Sequence, residues 1–296
     1  MDKLAEMQIF LAVAQEGGFS AAARRHELSP SAVSKMMARL ETRLGVRLFD
    51  RGAGTVRLTQ EGHAFRHASQ HAMDAVDQAE QAVRGHRERV TGVLTIQAPF
   101  TTLKYLVAPV IPAFMRSYPE VQIQFVVGTE KPDFLKQGID IAIHSEQLAD
   151  GSLVQKALTV RSWTLVAAPS YIERRGQPRT PDDLDGHDLL TFSVRSNWND
   201  WTFRRGDEVR SWRAKGKLRA NQAELLRVLA LQGAGIVRLA DFNVRADLAA
   251  GRLVSLLEDW IEPSMETMWL FYASGRHQSA RVRVFADFMS RCMGGG

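Results

Sequence analysis

The sequence has one cysteine, Cys292, among its 296 residues. One thiol can form neither an internal disulfide nor a cysteine-based zinc site, which is typical of a chain kept in a reducing compartment. Long apolar runs are also missing, since Arg227 interrupts the stretch 225–231, and residues 1–6 contain no apolar segment of a secretory signal. We therefore expect a cytoplasmic protein with no membrane partner.

Motifs of the common catalytic sites are missing as well. The sequence contains no Gly-x-Ser-x-Gly, no Gly-x-x-x-x-Gly-Lys, no His-Glu-x-x-His and no paired-cysteine motif. His63, His67 and His71 recur every four residues, as metal ligands on a helix can, but no carboxylate partner is evident in the sequence around them. We interpret them as a solvated helix face. The sequence thus predicts neither an enzyme nor a metal or cofactor site, although a cleft could hold an active site of another kind.

The net charge of +5 is concentrated near the start of the chain. Residues 19–57 contain eight bases and three acids, whereas the rest of the chain contains 30 bases and 30 acids. A localised basic block is the electrostatic footprint of a protein that binds nucleic-acid phosphates. Many solvated helices are basic too, so charge alone does not establish DNA binding.

Three helices are predicted in this basic part of the chain. Apolar residues at helical spacing predict the first over 4–16, stopped by a pair of glycines, and a short second helix over 21–26 is expected to begin at a capping Ser20. Ser29 is a good N-cap and Pro30 suits the first helical position. The third helix is therefore expected from Pro30 to about residue 44.

The third helix has the features of a helix that enters the major groove of DNA. A helix, a tight turn and a second helix form the geometry that seats the second helix in the groove. One face of the third helix is apolar, and the other offers short hydroxyls and cations suited to base edges and phosphates. These polar residues are Ser31, Ser34, Lys35 and Arg39. Considered alone, the pattern leaves open a three-helix core with a merely solvated polar face.

The residue types at many points over some sixty residues resemble the signature of the LysR-type transcriptional regulators. The matching segments are Phe10, Ala14, Gly18-Phe19-Ser20-Ala21-Ala22-Ala23, Leu28-Ser29, Ala32-Val33-Ser34, Leu40-Glu41, Leu44-Gly45, Leu48-Phe49-Asp50-Arg51 and Leu58-Thr59-Gln60-Glu61-Gly62. The resemblance implies a winged helix-turn-helix over residues 1–58 that binds double-stranded DNA, with base contacts from the helix that begins at Pro30.

The resemblance also implies a wing that reaches toward the minor groove. The wing begins at Arg51, and the family usually has an arginine three residues later, where this chain has Gly54. Glycine suits the turn but carries no charge, so Arg57 is the substitute we consider. The predicted DNA-binding residues are Ser29, Pro30, Ser31, Ser34, Lys35, Arg39, Arg51 and Arg57.

A long helix is predicted over residues 59–88, which contain no proline and no glycine between Gly62 and Gly85. Its apolar residues alternate spacings of three and four, as in a heptad seam made mostly of alanine. They are Phe65, Ala68, Ala72, Ala75, Ala79 and Ala82. The resemblance implies a linker helix that pairs with that of another subunit, giving a homodimer or a homotetramer. A single helix packed on its own domain is the alternative.

From residue 91 onward, strands and helices alternate, which predicts an α/β architecture. Several segments resemble the effector domain of LysR-type regulators, which is similar to periplasmic binding proteins. They include Gly92-Val93-Leu94-Thr95-Ile96, Gly138-Ile139-Asp140-Ile141-Ala142-Ile143, Gly233-Ala234-Gly235-Ile236 and Gly251-Arg252-Leu253-Val254. The resemblance implies a two-lobed domain over 91–296, with lobe I at 91–161 and 267–296, lobe II at 162–266, and a ligand cleft between them.

Ligands of open α/β sheets bind beyond the carboxyl ends of the strands. That rule nominates residues after the predicted strands as effector-binding residues. They are Phe100, Thr101, Thr102, Gly128, Thr129, His144, Ser193, Val237 and Arg238. Hydroxyls with two potential cations, His144 and Arg238, would suit a carboxylate. The threonines could instead cap a helix, His144 could be an ordinary hydrogen-bonded histidine, and Arg238 could pair with a surface acid.

The sequence therefore predicts a sequence-specific, DNA-binding transcriptional regulator controlled by a small anionic metabolite bound between two lobes. Its expected partners are double-stranded DNA, the effector, other copies of itself and RNA polymerase. A binding protein without DNA activity and an architectural DNA protein without a ligand are the alternatives from other classes. The effector, the operator and the direction of regulation are not determined by the sequence.

Overall fold

The computed structural model describes residues 2–52, 55–84, 90–129, 132–148, 151–194, 197–260, 265–274 and 279–293. Within these ranges, no helix is long and apolar enough to span a bilayer. The α/β fold class with an N-terminal helical winged helix-turn-helix is confirmed.

The N-terminal domain consists of three helices and a two-stranded wing. The helices are α1 (Lys3–Glu16), α2 (Phe19–Arg25) and α3 (Pro30–Leu44), and the strands are β1 (Phe49–Gly52) and β2 (Thr55–Leu58). As predicted, the Ser29 side chain caps α3 by accepting from the backbone N of Ala32 at 3.1 Å, with Pro30 in the first turn. One expectation was wrong: Gly18, not Ser20, is the N-cap of α2, because the helix begins two residues earlier than predicted, at Phe19.

Helix α4 (Gln60–Arg84) leaves the wing as a single long helix. Its first turn is held by Thr59, whose hydroxyl accepts from the backbone N of Gly62 at 2.9 Å and donates to the carbonyl of Arg47. Residues 85–89, where the linker helix was expected to end, lie outside the described residues.

The first lobe is a five-stranded sheet flanked by helices. Its strands are β3 (Gly92–Ala98), β4 (Val121–Val127), β5 (Ile141–His144), β6 (Leu153–Arg161) and β14 (Glu266–Ala273), in the order β4-β3-β5-β14-β6. Its helices are α5 (Phe100–Thr102), which continues as a π-helical turn (Leu103–Val107), α6 (Ile111–Ser117), α7 (Phe134–Gln137) and α11 (Ala280–Met293). Residues 103–117 do not form one continuous α-helix: a new helix begins at Ile111, with Pro112, which cannot donate a helical hydrogen bond, in its first turn.

The second lobe is another five-stranded sheet with a separate hairpin. The sheet strands are β7 (Trp163–Ala167), β8 (Leu189–Phe192), β11 (Leu218–Ala220), β12 (Ile236–Ala240) and β13 (Val254–Ser255), in the order β11-β8-β12-β7-β13. The helices are α8 (Pro169–Arg175), α9 (Ala223–Leu231) and α10 (Asp241–Ala249). Separate apolar clusters fill the two faces of this sheet.

The hairpin of β9 (Asp200–Arg205) and β10 (Glu208–Arg213) was not predicted. Trp201 and Phe203 alternate with exposed residues and are buried, as expected for a strand with one covered face. The two-residue connection Gly206-Asp207 is a common hairpin turn signal. This local pattern could have identified the hairpin from sequence.

Candidate functional site

Helix α3 presents one buried and one exposed face. Val33, Met37 and Leu40 are fully buried in the core of the N-terminal domain. The predicted DNA-binding residues lie on the opposite side, where Ser31, Lys35 and Arg39 are exposed and Ser34 is half-buried. We call α3 with these four polar residues the recognition helix. The helix itself turns Lys35 and Arg39 toward solvent.

Several contacts hold the recognition helix against its neighbours. The Glu41 carboxylate accepts from the backbone N of Leu48 at 2.8 Å and of Phe49 at 3.1 Å, which ties the wing to α3. The buried Glu6 carboxylate accepts from Arg43 at 2.6 Å, which ties α1 to α3. These contacts make the domain a rigid support for the exposed face.

The remaining predicted DNA-binding residues surround the start of α3 and the wing. Ser29 and Pro30 are exposed, and the Ser29 hydroxyl lies 3.1 Å from that of Ser31. Arg57 is exposed on β2, opposite Asp50 in the hairpin register. Gly54 and the side chain of Arg51 lie outside what the structure describes.

The linker helix packs partly on its own chain. Phe65 contacts Phe10 with ring centroids 4.9 Å apart. The interpretation of the three histidines as solvated was wrong for His67, which is 11% exposed and whose Nε2 lies 3.6 Å from the Asp140 carboxylate. That partner comes from a segment 73 positions later, so no local pattern could reveal it. His63 is exposed, the His71 side chain is not described, and no metal-ligand cluster occurs among the described residues.

A cavity of about 530 Å³ lies between the two sheets. The first lobe contributes residues after β3 and β5, and the second contributes residues from β8, α9 and α10. The polar lining residues are Thr101, Thr102, Thr129, His144, Ser145, Glu146, Arg161, Asn221, Gln222 and Asn243. The aromatic ones are Trp163, Phe192 and Trp198, and further contacts come from Pro99, Leu148, Val194, Ala223, Ala240 and Met268.

Four of the nine predicted effector residues line this cavity: Thr101, Thr102, Thr129 and His144. They lie together because β4, β3 and β5 are neighbouring parallel strands whose carboxyl ends face the second lobe. The same rule applied to β11 would have found Asn221 and Gln222, which follow that strand directly.

The other five predicted residues do not line the cavity. Phe100 and Ser193 are exposed elsewhere, and Val237 is fully buried in the core of the second lobe. Gly128 packs on Gln97, whose Nε2 would lie 2.3 Å from a Cβ at that position. The Arg238 guanidinium stacks at 4.7 Å on the indole of Trp163, so Trp163 and not Arg238 forms the cavity surface.

The charge state of His144 differs from the expectation. Burial lowers the pKa of His144 to about 4, so the imidazole is neutral near pH 7 and does not supply a cation. Its Nε2 has no hydrogen-bond partner among the described residues, and the same holds for the Oδ1 of Asn243. The cavity thus contains two buried polar atoms, one from each lobe, whose hydrogen bonds are not made within the described chain.

The cation at the cavity is Arg161, which sequence reasoning missed. Its guanidinium donates to the Glu266 carboxylate through Nε at 2.8 Å and through Nη2. It also stacks on the rings of Trp163 at 4.7 Å and Trp198 at 5.7 Å. Burial lowers the pKa of Arg238 to about 10, which leaves this second guanidinium charged behind Trp163. No local motif marks Arg161, because its partner is 105 positions away.

A polar contact joins the two lobes beside the cavity. Lys104, on the turn after α5, donates to Glu224 of α9 at 2.7 Å, and the Tyr105 hydroxyl donates to the same carboxylate at 3.1 Å. Arg227 holds Glu224 from within α9 at 3.0 Å. We call Lys104, Tyr105 and Glu224 the inter-lobe clamp, because it connects the segments that carry Thr102 and Ala223 to the cavity.

Comparisons with known proteins cover both halves of the chain. A model of bacterial regulatory helix-turn-helix proteins of the lysR family matches residues 4–63, and a model of the LysR substrate binding domain matches residues 87–293. The HTH-type transcriptional regulator CrgA of Neisseria meningitidis serogroup B is 30% identical over 289 residues, 98% of this chain and 96% of CrgA.

Other relatives and structures agree with these matches. The HTH-type transcriptional regulator PtxR of Pseudomonas aeruginosa is 31% identical over 98% of this chain and 93% of PtxR. The solved structure of CrgA from Neisseria meningitidis matches with a TM-score of 0.66 and 29% identity and covers 100% of both chains. With a DNA-binding domain and a substrate-binding domain of one family in the same order, the chain belongs to the LysR family of transcriptional regulators and is not an enzyme.

Proposed function

We propose that this protein binds DNA through the recognition helix and that a small acid with an aromatic or apolar body, bound in the cavity, controls that binding. The observation that carries the proposal is the cavity itself, which both lobes line and which lies in the part of the chain that matches the family's substrate binding domain. A ligand that touches both lobes couples its own binding to their relative position, since it favours the arrangement that it bridges.

The lining supports an acid with an apolar body. Three aromatic side chains form a wall for a ring, with Phe192 and Trp198 in edge contact at 4.9 Å. Buried carboxylates need hydrogen-bond donors and a cation. The hydroxyls of Thr101 and Thr102 and a proton on His144 Nε2 can donate, and Arg161 supplies positive charge. Arg161 and Arg238 both interact with Glu266, so this wall holds two guanidinium groups around that carboxylate.

Thermal denaturation with paired ligands tests this chemistry. Benzoate and other aromatic carboxylates are compared with benzamide and with neutral sugars. A ligand bound only by the folded state stabilises it by about 2.7 kcal/mol at a hundredfold excess over Kd. We expect the acids to raise the melting temperature and to change the affinity for operator DNA. Stabilisation by neutral sugars without any effect of acids would contradict the proposal.

Threonine variants locate the ligand. Thr101→Val removes a buried hydroxyl of the cavity with little change in volume, and we expect it to reduce the stabilisation by an acid. Thr202→Val serves as the matched control, because Thr202 is an exposed residue of β9 outside the cavity. Equal ligand responses in both variants would place the acid elsewhere.

Self-association through α4 is part of the proposal, as a homodimer or a homotetramer, with RNA polymerase as a further partner. Ala72 and Ala75 lie on the seam and are partly exposed in the single chain, whereas the side chains of Ala79 and Ala82 lie outside what is described. Ala75→Glu would place a carboxylate opposite its own copy and should dissociate the dimer. His63→Glu, on another part of α4, is the control. If Ala75→Glu sediments as an intact dimer, the alanine seam is not the dimer interface.

A further inference from the structure

A second concentration of positive charge lies outside both the cavity and the recognition helix. Residues 204–219 contain seven bases and two acids, and their net charge of +5 equals that of residues 19–57. The segment runs from the β9–β10 hairpin into β11, and all seven basic residues are exposed. A sum over the whole chain conceals this excess, because acidic residues elsewhere cancel it.

Ion pairs neutralise only part of the segment. Arg210 lies 3.0 Å from the Asp182 carboxylate, and Arg213 lies 3.5 Å from that of Asp200. Three further cations at the end of the segment have no ion pair or hydrogen bond through their charged groups with any described residue. They are Lys215, Lys217 and Arg219, which we call the basic edge.

The basic edge is a short row of exposed cations just before and within β11. Its three residues are exposed and alternate with the half-buried Gly216 and Leu218, so the cations lie on the outer side of the segment. The opposite side faces the protein, since a Cβ at Gly216 would lie 2.1 Å from the carbonyl oxygen of Leu189. Strand β11, which contains Arg219, is the outer strand of its sheet, and Lys215 and Lys217 directly precede it.

Protection of a sheet edge does not account for this row. Charge on an edge strand prevents it from pairing with another sheet. The outer strand β4 of the first lobe nevertheless has no basic residue, and the two cations of outer strand β6 are paired, Lys156 with Asp287 at 2.7 Å and Arg161 with Glu266. Among the described outer strands of the two five-stranded sheets, only β11, together with the residues just before it, carries a group of cations without ion pairs.

We propose that the basic edge binds the phosphate backbone of the DNA that the recognition helix holds. Protein interfaces exclude lysine from their centres and use aromatic anchors, and the row has no aromatic side chain on its outward side. Phosphate backbones are bound by lysine and arginine without sequence information. DNA held by the same molecule is present at a high local concentration, so individually weak contacts are sufficient.

The test uses the full chain with two variants of equal charge. K215Q/K217Q/R219Q removes the basic edge. R116Q/R179Q/R291Q is the matched control, which removes three exposed cations from other surfaces. Binding to labelled duplexes of arbitrary sequence, about two and about six helical turns long, is measured by fluorescence anisotropy between about 50 and 200 mM salt. Duplexes of arbitrary sequence avoid dependence on the operator and on the effector.

We expect the basic-edge variant to lose roughly tenfold in affinity for the long duplex and to show a shallower salt dependence, by about 0.9 in the log–log slope per lost phosphate contact. The loss should be smaller on the short duplex, and the control should keep wild-type affinity within about twofold. Thermal melting of both variants verifies that they are folded.

Three results would overturn the proposal. Equal losses in the two variants would show an effect of total charge alone. An unchanged affinity and slope for K215Q/K217Q/R219Q would show that the row does not touch DNA. Unchanged DNA binding with reduced transcription in a reconstituted assay with RNA polymerase would assign the row to an acidic protein surface instead.

Discussion

The recognition helix and the cavity are built in opposite ways. The polar face of α3 comes from 15 consecutive residues, and helix periodicity alone separates it from the buried Val33, Met37 and Leu40. The lining of the cavity comes from residues spread between 99 and 268, on two sheets. The position of a side chain on α3 therefore depends on its neighbours in sequence, whereas that of a cavity residue depends on how the lobes are placed.

The two regions also differ in whether their charged and titratable side chains are exposed to solvent. Lys35 is exposed, so water solvates its charge until a partner replaces it. His144 and Arg161 are buried, and burial lowers the pKa of both side chains. The comparison teaches that the proposed DNA-binding surface depends on charge left in solvent, and the cavity on polar groups removed from it.

The largest expected effects come from two glycine variants, each of which should impair one of the two regions and leave the other intact. A Cβ at Gly62 would lie 2.1 Å from the carbonyl oxygen of Leu48, so Gly62→Ala must displace α4 from the wing. We expect a loss of about 3 kcal/mol in the stability of the N-terminal domain. DNA binding should fail while ligand-induced stabilisation persists, as measured by anisotropy and thermal melting.

Gly216→Ala is the counterpart in the second lobe. Its Cβ would lie 2.1 Å from the carbonyl oxygen of Leu189 and would separate β11 from β8. A loss of about 3 kcal/mol is expected here too. The ligand response should be reduced, whereas α3 should still bind a short operator duplex, on which the basic edge has the smaller effect. If each variant lost both activities equally, the two regions would unfold as one unit and the comparison would fail.

Acid pH should destabilise the cavity region through His144. Its pKa is about 4 in the folded chain and about 6.5 in the unfolded chain. Between these pH values His144 is protonated in the unfolded chain and neutral in the folded chain. The free energy of unfolding is therefore unaffected by His144 above pH 6.5 and falls by up to about 3 kcal/mol as the pH decreases toward 4. His144→Gln should show less of this loss in melting curves between about pH 7.5 and 5. The exposed His26→Gln should behave as wild type, and an identical pH dependence in His144→Gln would contradict the assignment.

Lys35→Ala should affect DNA binding without affecting stability. We expect a loss of about 2 kcal/mol in operator binding if Lys35 contacts a base. A contact with phosphate alone would lower specific and nonspecific binding together and would reduce the salt slope. Lys3→Ala, exposed on α1, is the control. Unchanged affinity and slope for Lys35→Ala would show that this face of α3 does not contact DNA.

Glu224→Gln should give the smallest effect, because the inter-lobe clamp is partly exposed. The Lys104 side chain is 40% exposed and that of Glu224 is 21% exposed, so solvent screens the pair and we expect a change of about 0.5–1 kcal/mol. Effector affinity, measured by calorimetry, should fall a few-fold. Glu16→Gln breaks the surface pair with Arg25 in the N-terminal domain and should leave effector affinity unchanged. Equal behaviour of both variants would show that the clamp does not affect the cavity.

The residue pattern predicted most of the N-terminal domain, because its signals are local. Ser29 and Pro30 start α3, and glycines in the left-handed conformation, Gly17 and Gly45, end α1 and α3. The sequence also contained the signals for Asn221 and for the β9–β10 hairpin, although both were missed. A charge sum over the chain missed the basic edge, since it averages away a local excess.

Sequence alone determined the family, the order of the domains and the exposed face of α3, because these depend on spacing between near neighbours. Only the tertiary structure decided which strand ends meet, and so which of the predicted effector residues line the cavity. It also decided that His144 is neutral, that Arg161 pairs with Glu266, and that Arg238 lies behind Trp163. Burial and ion pairing arise between segments far apart in the chain, and no local pattern of residues specifies their distance in space.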